Sequence, residues 1–308
     1  MHRCNPVIHS KFAPMPPLLI VMKHRLFIVL RCWWILLGLS SAAVAQSPAS
    51  APSPSYNRVI SLAPHITELI YAAGGGEHLI ATVEASDFPP DAKRLPRVGT
   101  GITLDNEHLL RLNPDLIVAW QASQAGIMLS PSLKSLDIAQ TYSAPQRLMD
   151  IPDEIERFGR LLGTETSAVT TATQLRRRIQ ELAARYQHAA PIRVFIEVDT
   201  TPLYTIGQDP IINDMLAVCG VENLYGHSRV GAPQVNIEEL LNRNPDFVLL
   251  SQTAPSLLQE RLHYWQKLRL PAALRGHLYP IDPDILYRPG PRLIDAAHYI
   301  CQLADKLR

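Results

Sequence analysis

The sequence predicts an α/β protein of two lobes, each with a mainly parallel sheet and flanking helices, joined by one long rigid α-helix with a cleft between the lobes. Three observations carry this reading. The middle of the chain is a long helical stretch with no strand-like run, strand-like and helical runs alternate on both sides of it, and the stretch Leu-Leu-x-x-Asn-Pro-Asp with an apolar run after it occurs twice, from Leu109 and from Leu240.

In chain order, the first 45 residues hold five Lys or Arg and no Asp or Glu. Lys23, His24 and Arg25 form a basic region, Cys32 to Leu39 supply an apolar core, and Ala43-Val44-Ala45 before Gln46 is a small-x-small cleavage site. Residues 1–45 therefore read as a signal peptide, with Met22 as an alternative start. Arg31 interrupts the apolar run, leaving it too short for the ~20 residues of a membrane-spanning helix. Removing 45 of the 308 residues leaves 263, with 24 basic side chains against 28 acidic, a balance of −4 that disfavours a nucleic-acid partner. Residues 46–57, rich in Ala, Ser and Pro, read as a flexible lead-in.

Residues 58–149 are expected to form the N-terminal α/β lobe. Arg58 to Leu62 is a strand, Thr67 to Ala73 a helix ended by Gly74, Gly75 and Gly76, and Leu79 to Glu84 a second strand. A helix end at Leu109 to Leu112, a turn at Asn113-Pro114-Asp115 and a third strand to Trp120 follow. Residues 150–190 are the linking helices. A shorter one starts at Asp150 and Pro152 and closes at Gly163. The longer runs from about Thr164 to Gln187, with Ala168, Ala172, Leu175, Ile179, Leu182 and Tyr186 on one apolar stripe. At ~1.5 Å per residue it would span roughly 35 Å, enough to bridge two lobes. Residues 191–308 repeat the order as a C-terminal α/β lobe: a strand from Ile192 to Val198, a helix from about Ile211 to Cys219 closed by Gly220, then the second Asn-Pro-Asp turn and strand. Strands alternating with helices argue for parallel sheets with crossover helices.

Ligands of open α/β sheets bind beyond the carboxyl ends of the strands. The segments placed there are Ala63 to Thr67, Ser86 to Pro90, Trp120 to Gln124, Asp199 to Tyr204 and Ser251 to Thr253, with Tyr287 on a later loop. Their aromatics, Phe88, Trp120 and Tyr204, suit a large, flat, partly apolar ligand. Catalytic signatures are missing: there is no phosphate loop ending in Lys-Ser or Lys-Thr, no Gly-x-Ser-x-Gly and no His-Glu-x-x-His. The histidines show no close pair at metal spacing, so no metal site is expected. His65 stands at the turn after the first strand and is either a solvated turn histidine or a group that touches ligand. After cleavage Cys219 and Cys301 remain, read in an oxidising compartment as a disulfide between two helices, with two buried thiols as the alternative.

Several stretches together resemble the periplasmic binding proteins of the helical-backbone class, the solute receptors of ABC importers for cobalamin, haem and iron siderophores. They are Ile60 to Pro64 with Thr67 to Leu69, Ser86 to Pro90, Pro114 to Trp120, Val218 to Asn223, Ser228 to Val230, and Pro291-Arg292 ahead of Ala296 to Cys301. Within the class they are most similar to the cobalamin carriers. The resemblance implies a periplasmic monomer that catalyses no reaction and needs no cofactor, holds a corrinoid between its lobes and hands it to an inner-membrane ABC permease dimer. Haem or a ferric siderophore is the alternative within the class, and an exported α/β enzyme the remote one. By position, Trp120 would stack on the corrin, Phe88 would stand where those carriers have a tyrosine, Cys219 would pair with Cys301, and Glu238 would dock on the transporter. Pro64, His65, Asp87, Arg229 and Tyr287 complete the expected ligand set. Two departures stand out: Ala232 replaces a ligand-facing tryptophan, and Gln121 to Leu129 carries no acid for first-lobe docking.

Overall fold

The computed structural model describes residues 55–120 and 124–308, those at 124 and 125 by backbone alone, so the expected signal peptide lies outside the described residues. In the first lobe β1 (Val59–Ser61), α1 (Pro64–Ala72), β2 (Leu79–Ala81), α2 (Asn106–Arg111), β3 (Leu116–Trp120), α3 (Gln124–Ser135) and β4 (Ala139–Ser143) alternate. Two helices follow, α4 (Asp150–Leu162) and α5 (Glu165–Tyr186). The second lobe opens with β5 (Ile192–Glu197), a small hairpin of β6 (Asp199–Thr200) and β7 (Leu203–Tyr204), α6 (Pro210–Val218) and β8 (Val221–Asn223). It continues with α7 (Ile237–Arg243), β9 (Phe247–Leu250), α8 (Pro255–Lys267), α9 (Pro271–Leu274), β10 (Leu278–Pro280), α10 (Pro283–Leu286) and α11 (Leu293–Leu307).

Both main sheets are parallel and built to one plan. The first runs β2-β1-β3-β4 and the second β8-β5-β9-β10, so with β6 and β7 set aside each has its opening strand second in line. The Asn-Pro-Asp copies are equivalent in detail. Asn113 and Asn244 both take positive φ, 49° and 48°, where asparagine is tolerated better than most residues. Asp115 accepts from the backbone N–H groups of Asn57 and Arg58, and Asp246 from that of Arg193. Arg58 donates to the carbonyls of Leu112 and Asn113, as Arg193 does to those of Arg243 and Asn244. Each turn thereby ties the end of a helix to the start of its lobe's first strand.

Period-two alternation decides which way each strand residue packs. Val59, Leu116 and Val118 of the first lobe, and Val194, Ile196, Phe247 and Leu249 of the second, join one core that runs on through α1, α4, α5, α6 and α11. Their neighbours turn to the outer face of each sheet, Ile60, Ile117 and Ala119 into one cluster and Phe195, Val248 and Leu250 into another. The lobes thus share a continuous inner core and have separate outer ones. Of the α5 stripe, Ala168, Ala172, Leu175, Ile179 and Tyr186 are buried and Leu182 is half-buried. The bare backbone of Gly159 on α4 lets Ala168 come close, since a Cβ there would stand 2.3 Å from that of Ala168. At its far end α5 meets α11, with Arg178 paired to Asp295 and the Tyr186 hydroxyl donating to Asp305.

Several local expectations shift. α1 begins at Pro64 rather than Thr67, because proline fits the first helical position, whose N–H is unpaired in any case. The second strand ends at Ala81, short of Glu84. β4, with the sequence Ala-Gln-Thr-Tyr-Ser, has no apolar run and gave no strand signal. The disulfide is formed: Cys219 and Cys301 are joined with a Cα–Cα separation of 4.8 Å, tying the end of α6 to α11.

Candidate functional site

A cavity of about 370 Å³ lies where the carboxyl ends of both sheets meet. The first lobe contributes Trp120 and the loop Ala144–Gln146, and the second contributes Asp209 to Ile212 at the start of α6 and Leu286, Tyr287 and Pro289. Trp120 ends β3, paired in register with Ser143 of β4, so the strand carries the indole to the rim and leaves it 42% exposed. Val118, two residues back on the same face, is fully buried, so the exposed tryptophan departs from the packing pattern of its own strand.

His65 sits in the first turn of α1 directly beside Trp120. Their rings meet edge-to-face with centroids 5.7 Å apart and planes at 79°. It is not a solvated turn histidine. Its side chain is 3% exposed, and its Nε2 has no hydrogen-bond partner among the described residues. Burial lowers its pKa to about 4, the Ser143 backbone opposing and Arg288 adding to the fall, so the imidazole is neutral near pH 7.

Phe88 is 41% exposed, on a loop anchored by buried hydroxyls: Thr82 and Thr67 both donate to Ser86 Oγ, at 2.7 and 3.1 Å. Its ring is already covered by the Arg292 guanidinium, 4.3 Å from the centroid. Arg292 donates two bonds to Glu68 of α1, at 3.0 and 2.7 Å. Arg288 reaches Asp87 at 2.6 Å, Asp284 at 2.7 Å and Glu68 at 3.6 Å. These pairs join the lobes at the site. Burial pushes the Glu68 carboxyl up against the pull of both guanidiniums. Asp87 is more exposed; burial again raises it, but the Arg288 hydrogen bond and charge prevail and hold it below the ordinary range. Gly290, between the two arginines, packs so closely on α1 that a Cβ there would lie 3.3 Å from Glu68 Oε2. A second tie is Leu148 N–H to Asp214 Oδ2, 2.8 Å.

Tyr287 caps the end of α10 and lines the cavity. Burial pushes its phenol up to about 12, offset in part by the neighbouring Ser251 hydroxyl, and neither oxygen closes a hydrogen bond of good geometry. Pro64 is half-buried at the start of α1. Arg229 is exposed on a loop held against the Gly207–Gln208 backbone, and no ion pair engages it among the described residues. Asp199 to Tyr204 does not line the cavity. It folds into the β6–β7 hairpin, whose turn borders a separate open groove with Glu238. Glu238 itself is exposed in the first turn of α7, beside the Asn236 cap. Sequence reasoning missed Ala144–Gln146 and Asp209, which follow the unrecognised β4 and precede α6; the Pro145 and Asp209-Pro210 turn signals were the available clue. Among the described residues no group of three His, Cys, Asp or Glu could hold a metal ion.

A family described as periplasmic binding protein matches residues 59–285. The vitamin B12-binding protein of Pectobacterium atrosepticum is 34% identical over 280 residues, covering 89% of this chain and 95% of the relative. That of Vibrio cholerae is 34% identical over 260 residues, covering 84% and 92%. The crystal structure of the periplasmic vitamin B12 binding protein BtuF of Vibrio cholerae superposes with a TM-score of 0.74 at 33% identity, covering 82% of this chain and 98% of that one. The periplasmic heme-binding protein BhuT, at 23% identity and a TM-score of 0.72 over 83% of this chain and all of its own, shares the fold.

Proposed function

The chain belongs to the periplasmic binding protein family, and we propose that it binds a corrinoid between its lobes in the periplasm and delivers it to an inner-membrane ABC importer, catalysing no reaction itself. In this reading residues 58–149 and 191–308 are the lobes, 150–190 the linking helices, and 1–45 the cleaved export signal. The observation that carries it is Trp120, a large indole held at the mouth of the interlobe cavity and left exposed at the end of an otherwise buried strand. An indole offers a flat apolar face with little rotamer freedom to lose, which suits a macrocycle. A cavity of about 370 Å³ takes part of such a ring. The remainder would lie outside the cavity.

The same geometry weighs against the other ligands of the class. An anionic siderophore calls for several free arginines at the cleft, but Arg288 and Arg292 are spent on Glu68, Asp87 and Asp284, which leaves Arg229 as the one unpaired arginine of the expected ligand set among the described residues. Haem calls for an axial ligand, and the polar atoms of His65 and Tyr287 that lack partners are buried within the protein. Calorimetry with cyanocobalamin, haemin and a ferric siderophore tests the reading: binding of cyanocobalamin alone is expected, and binding of haemin or the siderophore in its place would overturn it.

A further inference from the structure

Trp120 is the exposed platform of the cleft, yet β3 ends with it, and an indole at a strand end has several rotamers open to it. The only ring it meets among the described residues is His65. The residue that carries that imidazole is held by its surroundings: it belongs to the first turn of α1, the Ser143 backbone of β4 faces the ring, and the Gly290 backbone of the second lobe packs on the His65 Cα, where a Cβ on Gly290 would stand at 3.7 Å. Its Nε2 is buried without a partner, so on that side no hydrogen bond sets the ring; packing does. We propose that His65 is a positioning residue for the ligand platform: its buried imidazole, set edge-to-face against Trp120 on a residue whose backbone the second lobe's Gly290 covers, holds the indole plane across the mouth of the cleft.

Burial keeps the contact neutral, and the charge of Arg288 acts in the same sense. Arg288 and Arg292 face it from the second lobe, with Glu68 on its own helix and Asp87 on the adjoining loop already paired to those arginines. A proton on the imidazole would add a third cation beside Arg288 and Arg292 that no free carboxylate balances. An edge-to-face pair is worth about 0.5–1.5 kcal/mol, or roughly two- to tenfold in affinity if it is lost where ligand binds.

The consequence for affinity rests on the corrinoid reading, but the contact itself can be read without ligand. Protein labelled with 5-fluorotryptophan, with the Trp120 resonance assigned through Trp120→Phe, reports the indole environment directly, and Trp265 serves as an internal control of the fold. His65→Ala should shift and broaden the Trp120 resonance, leave that of Trp265 in place, and weaken cyanocobalamin binding about fivefold. His65→Phe, which keeps a ring at the same place, should restore a sharp Trp120 line and an affinity within about twofold of wild type. An unchanged Trp120 resonance in His65→Ala would overturn the proposal, as would a fivefold loss of affinity in His65→Phe with its resonance intact, since His65 would then act on the ligand itself. Wild type that binds no cyanocobalamin would overturn the functional reading, while the ligand-free spectra still decide the contact.

Discussion

The two lobes repeat the same strand order, the same Asn-Pro-Asp turns and the same arginine tie from the first strand to a helix end, yet their cleft ends differ in kind. The first lobe offers Trp120, Phe88 and His65; the second offers Tyr287, a run of prolines and the guanidiniums of Arg288 and Arg292. The second also carries the disulfide and the extra hairpin. The framework is duplicated because strand pairing and helix ends impose the same requirements twice, whereas the loops beyond the strands are free to diverge and take on function. One lobe supplies an aromatic surface and the other the charges that hold it in place.

Breaking the tie between the lobes should have the largest effect. Glu68 is 2% exposed at its side chain and serves both arginines, so Glu68→Ala leaves two guanidiniums with a buried partner removed and should cost on the order of 3–5 kcal/mol in denaturant unfolding. A loss below about 1 kcal/mol would show that the lobes are held by their shared core alone. Next is the asymmetry of the disulfide. Cys219 and Cys301 are 82 residues apart, and the chain-entropy estimate for closing such a loop is about 4 kcal/mol as an upper value. The Cys219→Ala/Cys301→Ala protein should lose up to that much, and thiol counting on the denatured, unreduced exported protein should find none free.

A smaller effect is read by pH and lies in α1 of the first lobe. His65 has a folded pKa of about 4 against 6.5 when unfolded, so the unfolded chain takes up a proton that the folded chain refuses. Stability is then lost as pH falls from about 6.5 to about 4, amounting to about 3 kcal/mol when complete. The raised carboxyl of Glu68 works in the opposite sense, favouring the folded state as pH falls through the carboxylate range. The measurement is therefore a difference: His65→Ala should show a flatter stability profile than wild type between pH 7 and 4, and parallel profiles would remove His65 from the account. The smallest change in solution is expected at Glu238, exposed on the second lobe away from the cavity. Glu238→Ala should slow transporter-dependent uptake while leaving cyanocobalamin affinity within about twofold; loss of affinity would place Glu238 in the fold or the site.

Much of the framework was legible because it rests on local signals. The α5 stripe, the Gly163 stop and both Asn-Pro-Asp turns follow from helical periodicity, the left-handed conformation at a helix end and the turn chemistry of Asn, Pro and Asp. Trp120 was legible as a residue at a strand end. What escaped was set by contacts distant in sequence. β4 is a strand because β3 offers it a partner edge, and its own residues carry no alternation. The pairing of Arg288 and Arg292 was not legible, because their partners Asp87 and Glu68 stand some 200 residues earlier in the chain. His65 read as exposed because its cover comes from Trp120 and from the second lobe.

The central claim is that Trp120 is the platform on which ligand stacks. Losing the stacking contact, on the order of 1 kcal/mol, together with roughly 2 kcal/mol of apolar burial should weaken binding by ~3 kcal/mol, about a hundredfold. With Ala232 at the position where the cobalamin carriers have a tryptophan, Trp120 is the one indole in the lining of the cavity among the described residues. The direct measurement is calorimetric titration of wild type and Trp120→Ala with cyanocobalamin, with thermal melts showing that both are folded. A roughly hundredfold loss with unchanged melting is the predicted result, and equal affinities would contradict the account.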